Sequence, residues 1–152
     1  MKLIMVDSIS NITNNTIETD KYLSVNEEIF ESHFPGNPVV PAAFMVEGAI
    51  QTARLLAWER TDFHYSLIGY QFDKFKFKNL LCPGKILHMK VFFKNVEQLG
   101  TEKSDVVIKV EGHAEDKEIF VGEIVCKVVS SELVHNVEQC KNYWNYLLKN
   151  RK

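Results

Sequence analysis

The chain has 152 residues, 45% of them hydrophobic and 25% charged, with a formal net charge of −2. That length suits one domain with a core of its own, and the near-neutral balance excludes a chain that binds nucleic acid through its overall charge. Cys82, Cys126 and Cys140 are odd in number and lack CxxC spacing, so they read as reduced thiols rather than a disulfide framework.

The first seven residues hold too short an apolar run for a signal peptide, and no stretch approaches the length of a membrane span. The expected compartment is cytoplasmic, with no membrane contact. Residues 3–11 and 16–25 are rich in β-branched side chains and predict two antiparallel strands. Thr13-Asn14-Asn15 joins them, and Asn-Asn tolerates the positive φ of a tight hairpin. Residues 27–32 are polar and predict a turn of helix. Pro35, Pro38 and Pro41 then bar a helix until Pro41, which suits a first turn. Residues 42–58 are helix formers, apolar on almost every face, with Gly48 the only central breaker. Such a helix must be wrapped by something.

Glu47 sits in the second turn of that helix, with Gln51 one turn further along the same face. A carboxylate there must be neutral, paired or facing a cleft. Four longer stretches of strand character follow, at 65–78, 85–99, 101–115 and 118–130. Turns are expected at Pro83-Gly84, at Leu99-Gly100-Thr101 and over 114–117. Alternation in the first of these strands sets Lys74, Lys76 and Lys78 on one face and Phe75 and Phe77 on the other. Residues 135–148 carry Val137, Cys140, Trp144, Leu147 and Leu148 at helical spacing, which predicts an amphipathic C-terminal helix. His64, His88, His113 and His135 show no metal-ligand spacing and read as surface or core positions. The pattern is α+β: a long antiparallel sheet curling around one apolar helix that follows the second strand, plus a C-terminal helix.

The loop and helix together read His33-Phe-Pro-Gly-Asn-Pro-Val-Val-Pro41, with Glu47 fourteen residues after the histidine. This block resembles the hot-dog-fold 3-hydroxyacyl-[acyl-carrier-protein] dehydratases. Leu3-Ile-Met-Val-Asp7, Ser24-Val-Asn-Glu27 and Lys76-Phe-Lys with Pro83-Gly84 are similar to that family's first strand, pre-loop segment and later strand and turn. The chain departs from the pattern at Ala42, where the family usually has glycine, and at Lys85, where it has aspartate. The resemblance covers residues 3–130 and implies a hot-dog domain over 1–130 with a helical extension over 131–152.

The resemblance implies dehydration of 3-hydroxyacyl thioesters on an acyl carrier protein, in fatty-acid or specialised lipid, polyene or polyketide synthesis. His33 and Glu47 would be catalytic. A neutral imidazole suits the base, and the acid must keep its proton, which burial on an apolar helix favours. The backbone N–H of Ala42 would face the enolate oxygen, and Phe34, Pro35, Gly36, Phe44, Met45 and Gln51 would bind substrate, with Ile50 also lining an acyl tunnel. Lys74, Lys76, Lys78 and Lys85 would steer the acidic carrier protein. No cofactor or metal is required. The family pairs protomers edge to edge, so a homodimer, a higher oligomer or a heterodimer with another hot-dog chain is implied, with His33 of one copy facing Glu47 of the other. Two alternatives share the fold: a non-catalytic hot-dog subunit partnering an active dehydratase, and an acyl thioesterase.

Overall fold

The computed structural model describes residues 3–149. Six strands form one antiparallel sheet: β1 (Ser8–Ile12), β2 (Thr16–Tyr22), β3 (Tyr65–Phe77), β4 (Ile86–Phe93), β5 (Asp105–Ala114) and β6 (Lys117–Ser130). Their order across the sheet is β1-β2-β4-β5-β6-β3, which puts β3 at an edge. A short helix, α1 (Ile29–Ser32), precedes the long helix α2 (Ala42–Thr61); α3 (Ser131–Val134) and α4 (Val137–Lys149) follow the sheet. This is the hot-dog arrangement. The expected extents 1–130 and 131–152 begin and end outside the described residues.

Alternation explains the wrapping. On β4, Leu87, Met89, Val91 and Phe93 are buried, and on β5 Val106, Ile108 and Val110 are. They meet Ala49, Ala53 and Leu56 of α2, none of which is exposed; a side chain the size of Leu56 contributes about 2 kcal/mol when fully buried. Gly48 lets the helix approach the sheet closely, because a Cβ there would lie 2.9 Å from the Met89 sulfur. The hydroxyl of Thr52 donates to the Gly48 carbonyl at 2.9 Å and lies 2.8 Å from the Thr19 hydroxyl, so these buried polar groups are partnered.

The C-terminal helices pack at the far end of α2, where His135 meets Trp58 edge to face. Trp144 and Leu147 are buried, Trp144 meets Phe63 edge to face, and the Tyr143 hydroxyl donates to the Val6 carbonyl. Leu148, expected on the apolar face, is 41% exposed.

Several boundaries differ from the sequence reading. Regular pairing begins at Ser8 rather than residue 3, because the preceding segment turns across α2, where Met5 N–H donates to Gln51 Oε1 at 2.8 Å. The 14–15 turn is closed by the Thr13 hydroxyl, which accepts from Thr16 N–H at 3.1 Å, and neither asparagine has a positive φ. Glu115 and Asp116 do, at 50° and 64°, which fits a tight β5–β6 hairpin. Strand β4 stops at Phe93 because Asn95 caps its end: its side chain donates to Asp105 O and accepts from Val107 N–H, both at 2.9 Å. The lysine alternation breaks where Lys74 adopts a φ of 55° and the register slips between Asp73 and Lys76.

The outer sheet face is charged, and His88 on it is held between two carboxylates. His88 Nδ1 lies 2.8 Å from Asp20 Oδ1 and Nε2 lies 3.0 Å from Glu18 Oε1. Two carboxylate partners require a donor on both nitrogens, so the clasp is an imidazolium. Burial pushes the His88 pKa down, but the bonds to Glu18 and Asp20 overrule it and the net shift is upward. Glu18 moves down, chiefly through its bond to His88. The histidine's contribution is complete below an imidazole's ordinary value of ~6.5 and fades as pH climbs through the raised value. That of Glu18 is present above the ordinary carboxyl range and fades in acid. His88→Gln should therefore cost about 1 kcal/mol near pH 6, a figure held down by the partial exposure of the ring. Urea denaturation of both proteins at pH 6 and pH 9 checks this: the gap should shrink at pH 9, and an equal gap would mean that the imidazolium does not supply it.

Candidate active site

The loop between α1 and α2 fixes His33. Its N–H donates to Ile29 O at 3.1 Å, ending α1, and its carbonyl accepts from Val39 N–H at 2.9 Å. Phe34 and Asn37 exchange backbone bonds of 3.0 and 2.8 Å around Gly36, whose φ is 72°, and Val40 N–H ties the loop to Leu81 O at 2.8 Å. A cis peptide bond links His33 to Phe34, whose rings stack with centroids 4.0 Å apart.

One contact sets the chemistry of the ring. His33 Nδ1 lies 2.9 Å from the Val39 carbonyl oxygen, which can only accept, so Nδ1 carries a proton and Nε2 is the nitrogen that offers a lone pair when the ring is neutral. His33 lines a cleft of about 510 Å³ together with Phe34, Pro41, Ala42, Met45 and Leu80. Ala42 is the first residue of α2, where backbone N–H groups have no intrahelical acceptor, and it is exposed. Phe44 shares a second cleft with His33 and Pro41, while Pro35 and Gly36 are exposed on the loop and Met45 is buried.

Glu47 lies apart from both clefts. Its side chain is 34% exposed, and Oε1 accepts from Gln51 Nε2 at 3.1 Å with Arg54 Nη1 at 3.6 Å. Arg54 is in turn hooked to β3 by a 3.0 Å bond from Nε to Leu67 O. Gln51 also donates to Leu3 O at 3.1 Å and accepts from Met5 N–H, so the expected substrate-binding amide pins the N-terminal segment. Arg54 is the residue that the sequence reading missed. Its spacing, three residues after Gln51 and seven after Glu47, was the available signal.

Of the four lysines, Lys74, Lys78 and Lys85 face carboxylates. Lys74 lies 3.8 Å from Glu123, Lys85 lies 3.6 Å from Glu115, and Lys78 pairs with Glu118. Strand pairing also gathers Glu111, His113 and Glu118, with one ligand atom of each within 4.8 Å of the others, a grouping that linear spacing could not reveal. Lys78 on Glu118, with Lys90 opposite Glu111 in the ladder, balances these charges. Cys126 is buried, which pushes its thiol pKa up to about 12, so it is no nucleophile.

A family model described as a FabA-like domain matches residues 1–123. The chain belongs to the FabA-like domain family. A 3-hydroxyacyl-[acyl-carrier-protein] dehydratase, FabZ, from Petrotoga mobilis is 30% identical over 115 residues, covering 71% of this chain and 83% of the relative. The FabZ of Streptococcus pneumoniae strain Hungary19A-6 is 34% identical over 100 residues, covering 65% and 70%. Among solved structures, the dehydratase heterocomplex ApeI:P from Xenorhabdus doucetiae aligns with a TM-score of 0.64 at 18% identity, covering 84% of this chain and 99% of that one. The fluoroacetyl-CoA thioesterase FlK aligns at 0.63 and 13%, covering 82% and 93%. These two likenesses establish the hot-dog fold. Among the described residues, no helix of this FabA-like chain is long and apolar enough to cross a membrane.

The Gln51 contacts carry a stability prediction. Gln51→Ala strands the Met5 N–H and the Leu3 carbonyl and should cost about 1–3 kcal/mol. Urea denaturation should show a lower midpoint with an unchanged slope; no change in midpoint would mean that the segment is held by other contacts.

Proposed function

We propose that this chain removes water from 3-hydroxyacyl thioesters carried on an acyl carrier protein, giving trans-2-enoyl thioesters. The observation that carries the reading is the Nδ1-to-Val39 bond, which leaves His33 Nε2 as a base in a cleft that also holds the first residue of α2. The FabZ relatives supply the reaction class.

In the proposed reaction His33 Nε2 takes a proton from C2. The C–H electrons move toward the thioester carbonyl, whose oxygen becomes an enolate oxygen beside the Ala42 N–H; such a donor is typically worth about 3 kcal/mol. The electrons then return to form the C2–C3 double bond as the C3–O bond breaks, and Glu47 gives its proton to the departing hydroxyl. Water leaves, and the proton on His33 returns to Glu47 through solvent. Phe34, Phe44 and Met45 are proposed to hold the pantetheine and proximal acyl group.

Because Glu47 lies apart from the two clefts that His33 lines, we assign the complete site to a dimer. Support comes from β3, a 13-residue edge strand that among the described residues pairs with β6 alone and carries exposed Ile68, Tyr70 and Phe72. An edge strand of this length with exposed apolar side chains is a template for pairing with a second chain. In this reading His33 of one copy meets Glu47 of the other. Lys74, Lys76, Lys78 and Lys85 remain the proposed contacts for the acidic carrier protein, with the carboxylates beside Lys74, Lys78 and Lys85 moderating the attraction. Three unpaired thiols agree with a cytoplasmic setting.

Intact-protein mass spectrometry of a short 3-hydroxyacyl carrier protein should show loss of one water. His33→Ala and Glu47→Gln should each slow that loss by at least about 100-fold while keeping the wild-type circular dichroism. Full turnover by both variants would sink the assignment. A well-folded dimer that leaves the substrate intact would instead point to a non-catalytic subunit, and thiol release from a saturated acyl thioester to a thioesterase.

A further inference from the structure

Glu47, Gln51, Arg54 and Trp58 follow one another at spacings of four, three and four, which places them along one face of α2. Arg54 closes that face. Its side chain is only 20% exposed and it spans from the helix to β3, with Nε on the Leu67 carbonyl at 3.0 Å and Nη1 reaching back to 3.6 Å from Glu47 Oε1. Gln51 holds the same Glu47 oxygen and, through Leu3 and Met5, the N-terminal segment. Beyond this pair lies a cleft of about 450 Å³ between α2 and the C-terminal helices, lined by Leu55, Trp58, Val134, His135, Cys140 and Tyr143. Gln51 and Arg54 form its wall toward Glu47, and Glu47 does not line it.

We infer that Arg54 is the stop that limits this site to short acyl chains. The inference rests on the dehydratase reading. With the thioester held by His33 and Ala42 of one copy and the C3 hydroxyl at Glu47 of the other, the tail is left the C-terminal half of that second helix. Its opposite face is already packed on the sheet, where Ala49, Ala53 and Leu56 are fully buried. Along the remaining face the Arg54 Cα is about 10 Å from that of Glu47, seven residues at 1.5 Å each. The guanidinium closes most of that distance, since it nearly touches the carboxylate. A methylene chain pressed against it would strip a half-buried cation of its partners, which is unfavourable. Short 3-hydroxyacyl groups end before the guanidinium; long ones need it to move. Behind it the cleft is apolar at Leu55, Trp58 and Val134, and removal of Arg54 would join that space to the reacting centre.

The test compares 3-hydroxybutyryl with 3-hydroxydodecanoyl carrier protein in the wild type, Arg54→Met and Arg54→Ala. Methionine keeps a long stem and guards against a variant that merely fails to fold; melting curves of both variants accompany the assay. The wild type should favour the butyryl substrate, and both variants should move the ratio of kcat/KM toward dodecanoyl by roughly tenfold or more. Arg54→Ala combined with Cys140→Phe, which refills the cleft, should return the ratio toward the wild-type value. An unchanged ratio in the single variants, or a wild type that favours dodecanoyl, overturns the inference. Calorimetric binding of saturated butyryl- and dodecanoyl-pantetheine amides, which cannot react, gives the same ratio without turnover. If the wild type turns over neither substrate the dehydratase reading fails, and the binding ratio still decides the role of Arg54.

Discussion

The structure depends on the burial of one helix. Helix α2 has buried residues on every side, from Met45 and Ala49 through Leu55 to Trp58, and a helix of that kind has no stable existence in water. The sheet covers one side, and its alternating Leu, Met, Val and Ile side chains are the complement of the small residues on the helix. Gly48 and Ala49 bring the backbone close to β4, so the sheet can curl around the helix rather than merely lie on it. The C-terminal helices cover the far end, where Trp58, Phe63 and Trp144 pack together. Position 47 is a carboxylate on a part of the helix that neither layer fully covers.

That arrangement gives the two proposed catalytic groups different kinds of support. His33 is fixed by its own loop: the partner of Nδ1 is a carbonyl only six residues away, and the loop closes on itself through Phe34 and Asn37. Glu47 is fixed by residues that the fold brings from elsewhere. Gln51 reaches the N-terminal segment, and Arg54 reaches β3. A change in the loop would therefore alter the base locally, whereas a change in the packing of α2 against β3 would move the carboxylate.

Much of the fold was legible in the sequence because period-two and helical patterns are local. The 42–58 helix, the β5–β6 turn at 115–116 and the four later strands follow from that kind of signal. Where local pattern met a side-chain competitor the reading failed: Asn95 ended β4 early, Thr13 closed a turn assigned to Asn-Asn, and the bulge at Lys74 broke an apparent alternation. The His33–Glu47 block was visible as a motif, but its surroundings were not. Arg54 shares a face with Glu47, yet a lone arginine on a helix says nothing until its partners are known. The Glu111–His113–Glu118 grouping likewise exists only after strands β5 and β6 have paired.

The edge strand connects these observations. Strand β3 carries the carbonyl that holds Arg54, and in the proposed dimer it is also the seam. Its exposed aromatic residues would cost solubility in a lone chain, which is the kind of liability that proteins blunt with charge, bulges or a partner. Here bulges at Gly69–Gln71 and Asp73–Lys76 and the lysines toward one end do part of that work, and Ile68, Tyr70 and Phe72 stay exposed beside Leu67. Pairing there would shield the Leu67–Arg54 hydrogen bond from water and strengthen it, because the same donor and acceptor interact more strongly in a lower dielectric. On this reading dimerisation does more than bring His33 to Glu47. It also stiffens the strut behind Glu47, so that assembly and acyl-chain selection are set by one strand.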